Sequence, residues 1–311
     1  MKDTIPRNGY TFGMTFEGFL FGRHTERVTD IVSQEKIRDE SPDYTAVSEH
    51  GVELSRERAK EIKNMLDNAP RGTILFFGGA SEEGRTKSTT DIYGDTLEKL
   101  YEKNEEVRVF SRKRIDMLRE TSGADTNIVR LLASEIQAHP DKKFAILYPL
   151  FMKEFSLRPS IRSTEPPHHI TEYAMVLQPD GRVEHEAVEA LLASDGNVVK
   201  EDGSIIEGPT AMDFVENYMR GVKRLRDFTE KYAPERPIIV GFVSHGLILD
   251  ALLTYLANDG KPYVDGFKKI DGKMMQSSEL AKVEIKEGKA IFEYRNKRFD
   301  IPDTILQRLS A

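Results

Sequence analysis

The stretch "PIIVGFVSHGLILDALLTYL", residues 237–256, decides the fold of this chain. Its first half is apolar from Ile238 to Val243, with no polar alternation. It breaks at Ser244-His245-Gly246, and its second half is an apolar segment long enough for a helix. A strand apolar on both faces belongs to a sheet covered on both sides. A strand that runs straight into a helix is half of a parallel crossover unit.

Similar runs recur at Phe19–Phe21, "TILFFGGAS" (73–81), "VRVF" (107–110), "FAILYPLF" (144–151) and "EYAMVL" (172–177). Helical periodicity lies between them. "LSRERAKEIKNMLDNA" (54–69) puts Ala59, Ile62, Met65 and Leu66 on one face, and "TNIVRLLASEIQAH" (126–139) does so with Ile128, Leu131, Leu132 and Ile136. Residues 210–232 repeat Met212, Val215, Met219, Val222, Leu225 and Phe228, and open on Thr210-x-x-Asp213, the pattern of a capping box. This alternation predicts an α/β fold: a three-layer α/β/α sandwich around a mostly parallel sheet. "LAKVEIKEGKAIFEYR" (280–295) predicts a terminal hairpin about Glu287-Gly288, and the Gly- and Asp-rich 191–210 predicts a loop. The chain reads as a single domain, 1–311, with 107–205 as an insertion or cap region.

With 311 residues, 39% hydrophobic and 31% charged, the chain can bury a large core and has the profile of a soluble globular protein. Its net charge of −7 argues against nucleic acid or an anionic membrane as partner, so an anionic ligand needs a local basic pocket. The absence of cysteine excludes disulfides, zinc–thiolate sites and thiol catalysis, and fits a cytoplasmic location. "MKDTIPRNGY" has no apolar core of a signal peptide, and no run approaches 18 apolar residues, so neither a leader nor a membrane span is expected. A homodimer is the ordinary expectation for such a chain.

Two of the predicted strands end in histidine. "FLFGRH" delivers Arg23 and His24; "IIVGFVSH" delivers His245. A third, "TILFFGGAS", ends at Ser81 and leads to Arg85. Ligands of parallel α/β sheets bind outside the carboxyl ends of the strands, so these residues converge if the strands are neighbours. Arginines neutralise phosphoryl oxygens, and a neutral imidazole attacks phosphorus without help from a metal. "EHEAVE" (184–189) and His168-His169, which point apart in extended chain, match no metal signature; no metal and no cofactor are expected.

The motifs together resemble the histidine phosphatase superfamily, the phosphoglycerate-mutase-like group in its first branch. "FGRHTER" looks like its Arg-His-Gly-Glu motif, "LSRERAKEI" like its Leu-Thr-x-x-Gly helix start, and "FVSHGLILDALL" like its Val-Ser-His-Gly motif. Ser81-x-x-x-Arg85-x-x-x-Thr89 has the spacing of its Ser-Pro-x-x-Arg-x-x-x-Thr motif, and "SSELAKVEI" sits where the family has its last strands. The resemblance covers roughly 17–100 and 205–295. It implies that His24 becomes a phosphohistidine, that Arg23 and Arg85 bind the phosphoryl group with Arg27 as a third cation, and that His245 stabilises the transition state. It implies a general acid after the third strand, Glu120 in "MLRETSG" ahead of Glu154. The implied activity is metal-independent phosphomonoester hydrolysis, on a phosphorylated small molecule or a phosphoprotein. The alternatives are a phosphoglycerate-type mutase and a binding module without turnover. Thr25 departs from the family, which has glycine after the nucleophile; Glu82 and Arg58 depart from its Pro and Gly.

Overall fold

The structure is a computed structural model that describes residues 16–26, 44, 47–79, 84–122, 128–149, 184–194, 196–199 and 202–310. Strands β1 (Phe16–Arg23), β2 (Ile74–Gly79), β3 (Val107–Phe110), β4 (Lys143–Tyr148) and β7 (Ile238–Ser244) run parallel. An antiparallel meander, β8 (Leu280–Lys286), β9 (Lys289–Tyr294) and β10 (Lys297–Ile301), joins them through β8. The order across this eight-stranded sheet is β10-β9-β8-β1-β7-β2-β4-β3. The fold is α/β with a mostly parallel sheet, as the sequence predicts.

Alternate residues of the central strands face two cores. Leu20, Leu75, Phe77, Ile239 and Val243 pack with Ala59, Ile62 and Leu66 of α1 (Glu49–Asn68) and with Tyr93 and Leu97 of α2 (Gly84–Leu100). Phe19, Phe21, Phe76, Val240 and Phe242 face the other way. They meet α4 (Ile128–Ala138), α5 (Glu184–Ser194), α6 (Ala211–Tyr232) and α7 (Gly246–Ala257). Burial on both faces explains why these strands read as continuous apolar runs. The layer is tight at Gly241, where a Cβ would lie 2.1 Å from the buried Phe77 ring, itself packed edge-on against Tyr93. Gly241→Ala is expected to cost about 3 kcal/mol of stability, read from the urea midpoint. A loss below about 0.5 kcal/mol would mean that the Phe77 ring can yield.

The capping box at α6 forms as predicted. Thr210 Oγ1 accepts from the Asp213 N–H at 3.1 Å, and the Asp213 carboxylate accepts from the Thr210 N–H at 2.8 Å. The terminal hairpin is β8–β9, to which the structure adds β10, α8 (Val264–Lys269) and α9 (Asp303–Ser310). The loop expected over 191–210 holds more order. α5 runs to Ser194, and β5 (Asn197–Val199) pairs with β6 (Ile205–Glu207) in a two-stranded ribbon. Short β-branched runs on either side of Gly203, whose φ is 81°, outweigh their polar neighbours. The strand expected at 172–177 lies outside the described residues. A short α3 (Arg112–Ser122) follows β3. No helix among the described residues is long and apolar enough to cross a membrane.

Candidate active site

Register brings the two histidines together. β1 and β7 are neighbours, with Arg23 opposite Ser244, so the next residue on each, His24 and His245, leaves the same end of the sheet. The His24 N–H donates to the Ser244 carbonyl at 3.0 Å. The two ring centroids are 5.1 Å apart, with the planes tilted by 59°. His245 is the N-cap residue of α7 but does not cap it with its ring. The positive end of that helix dipole therefore lies beside the pair.

The His24 ring is buried, and its Nδ1 lies 2.8 Å from the Thr25 carbonyl oxygen. A carbonyl only accepts, so the proton of the neutral ring sits on Nδ1 and the lone pair on Nε2. Burial pushes the His24 pKa down to about 3; the Thr25 carbonyl opposes this, and the charges of Arg85, His245 and Arg23 add to it. His24 is thus neutral at ordinary pH. Between the normal histidine value of 6.5 and about 3, the unfolded chain binds a proton that the folded ring refuses. Stability from this group is therefore complete above that window and falls as the solution is acidified through it. An NMR titration of the His24 imidazole is expected to show no midpoint between pH 8 and 4.5, and a raised pKa in Arg85→Ala. A wild-type midpoint at 6 or above would contradict this electrostatic picture.

Arg23 is buried, and its Nη1 donates to the Met275 carbonyl. The Met275 N–H donates to Oδ1 of Asp250 at 2.9 Å. The backbone of one residue, Met275, therefore links the Arg23 guanidinium to a fully buried carboxylate on α7. Burial pushes the Asp250 pKa up to about 7, against the Met275 hydrogen bond and the charges of Arg23 and Arg295. The segment that carries Met275 is tied down along its length. Arg295 donates to the Lys273 and Met274 carbonyls at 3.0 and 2.8 Å and pairs with Glu279 at 2.7 Å. Arg58 Nε donates to the Ser278 carbonyl at 3.0 Å, and the Ser278 N–H reaches the His24 carbonyl at 3.4 Å.

Arg85 lies in the first turn of α2, partly exposed. Thr89, one turn on, donates through Oγ1 to the Arg85 carbonyl at 2.7 Å and accepts the Thr25 N–H at 3.0 Å. The turn bearing Arg85 is thereby fastened to the backbone just after His24. The structure brings together His24, His245, Arg23 and Arg85. Glu120 is exposed near the end of α3, and no hydrogen bond or ion pair joins it to these four among the described residues. Arg27, Ser81, Glu82, Glu154, His168 and His169 lie outside the described residues.

Asp250, Met275, Ser278 and Gly51 are parts of the site that the sequence did not mark. Asp250 had a signal, as the one charged residue within "LILDALLTYL", where a buried acid needs a reason. Met275 and Ser278 had none, because they meet Arg23 and Thr25 across 252 and 253 residues of chain.

No family model and no curated protein sequence matches this chain. Among solved structures it is similar to a mycobacterial glucosyl-3-phosphoglycerate phosphatase in complex with VO3. The identity is 12% and the TM-score 0.34, over 86% of this chain and 91% of that one. It is also similar to phosphoglycerate mutase from Bacillus anthracis str. Sterne (11%, TM-score 0.36, 96% and 98% covered) and to the phytase of Klebsiella sp. ASR1 (8%, 0.34, 96% and 95%).

Proposed function

We propose that the protein is a metal-independent phosphomonoesterase that works through a phosphohistidine at His24. The observation that carries this is the state of His24: buried, neutral, with its proton held on Nδ1 and Nε2 left as a nucleophile beside His245. Nε2 attacks phosphorus in line, a P–N bond forms, and the P–O bond to the leaving group breaks. Arg23, Arg85 and His245 meet the charge on the phosphoryl oxygens. Water then attacks the phosphohistidine, releasing phosphate and restoring His24. An alkyl leaving group takes a proton from an acid as it departs; Glu120, exposed on α3, and Glu154 are the proposed donors. The substrate class is a phosphate monoester, on a small molecule or on a protein.

The test uses an aryl phosphate, whose phenolate leaves without protonation, in excess EDTA. Steady phosphate release, with an acid-labile, alkali-stable phosphoenzyme trapped by rapid quench, is the expected result. Interconversion of phosphoglycerate isomers without net hydrolysis would replace this reading with a mutase. Binding of vanadate with no turnover of any ester would replace it with a binding module.

A further inference from the structure

Thr25 stands where the resemblance leads one to expect glycine, and the structure shows what its side chain does. It is completely buried. Its Oγ1 donates to the Gly51 carbonyl in the first turn of α1 at 2.8 Å and accepts from Ser278 Oγ at 2.6 Å. The backbone of the same residue is held as well, its N–H by Thr89 at 3.0 Å and its carbonyl by Nδ1 of His24 at 2.8 Å. α1 makes room for this arrangement: a Cβ at Gly51 would lie 2.8 Å from Thr25 Oγ1 and 3.2 Å from Ser48 Oγ. Glycine on the helix thus leaves the space that the Thr25 side chain fills.

We propose that the Thr25 hydroxyl is a positioning element for His24. The carbonyl that fixes the imidazole tautomer belongs to a residue whose own side chain is bonded to α1 and to the Ser278 turn. The hydroxyl thus holds that carbonyl toward Nδ1 where a glycine would leave it free to rotate. Three separate segments, α1, α2 and the turn before β8, converge on this one residue. Ser278 adopts φ 62°, a left-handed conformation, in the turn that reaches it. The proposal rests on the reading of His24 as nucleophile, so its test includes a readout independent of turnover.

Thr25→Val keeps the shape and removes the hydroxyl; Thr25→Ser keeps the hydroxyl. The Gly51 carbonyl stays satisfied in either, since Ser55 Oγ also donates to it at 2.8 Å. Thr25→Val is expected to lower kcat on the aryl phosphate about five- to tenfold, the worth of one net hydrogen bond, with KM moved less than about twofold. The 15N shifts of His24 are expected to show a smaller Nδ1–H population in Thr25→Val, and wild-type values for both readouts in Thr25→Ser. Unchanged tautomer and unchanged kcat in Thr25→Val overturn the proposal. Should that variant not fold, Ser278→Ala removes the other partner of the same hydroxyl and carries both readouts, with no change in either again overturning it. A wild-type protein without turnover, whose His24 tautomer still shifts in Thr25→Val and not in Thr25→Ser, refutes the phosphatase reading and sustains this one.

Discussion

His24→Ala is expected to lose at least about four orders of magnitude in kcat/KM toward an aryl phosphate and to form no phosphoenzyme. The size follows from what the substitution removes. In the proposed mechanism the reaction splits into two transfers only because a nitrogen lone pair stands in the pocket, and burial keeps that nitrogen unprotonated. Without it, water must attack the ester directly, helped only by the cations that remain. His245 cannot step in as nucleophile: it sits at the start of α7, held 5.1 Å from His24 rather than in its place. Two controls make the loss interpretable. Vanadate should still bind, since Arg23 and Arg85 are untouched, and the acid limb of stability between pH 6.5 and 3 should flatten, since the group responsible is gone. A variant that keeps more than about a tenth of the activity, or that still traps phosphate on the chain, would remove His24 from the mechanism.

Arg23→Ala is expected to lower kcat/KM by about 10²- to 10³-fold, the usual effect of removing one preorganised donor from a charge-developing site. Arg23→Lys should recover only a minor part. The guanidinium has donors enough to bond the Met275 carbonyl and still present others to a phosphoryl group, whereas a lysine ammonium is one small point charge at a different reach. The loss should fall on kcat as well as on KM, because the buried arginine is fixed before substrate arrives and loses little order on meeting the transition state. Measuring both constants for the two variants checks this. An Arg23→Lys protein with wild-type kcat/KM would show that charge alone matters at this position and that the Met275 link is incidental.

The parallel core of the fold was legible because burial on both faces leaves a simple trace: Ile238–Val243 and Ile74–Phe77 are apolar throughout, and turn residues bound them. The ribbon of β5 and β6 was not, since three-residue strands give no period to count. At the site, Arg23, His24 and His245 were legible because they end or follow apolar runs, and Arg85 because it lies at a fixed spacing from Ser81 after another such run. Asp250 and Ser278 were hidden for a different reason. Their importance lies in contacts with Met275 and Thr25, and no local pattern encodes a hydrogen bond between distant segments. Glu120 is a different case: local context alone made it the candidate acid, and the folded chain leaves it exposed near the end of α3. Thr25 shows how a mismatch can inform: one departure from a motif pointed to a bonded cluster that the motif itself would not have disclosed.

The strand that bears His24 comes early in this chain, yet both its neighbours in the sheet, β7 and β8, begin at Ile238 or later. As the polypeptide leaves the ribosome, β1 must wait unpaired, apolar on both sides, until most of the sequence has followed it. During that interval β2, β3 and β4 can assemble on their own, since they neighbour one another. Insertion of β1 between β7 and β8 is therefore a late and non-local event, of the kind that slows folding and exposes an aggregation-prone segment. The same event creates the histidine pair. A nascent chain carries His24 long before His245 is made, and the two meet only when the central sheet closes around β1.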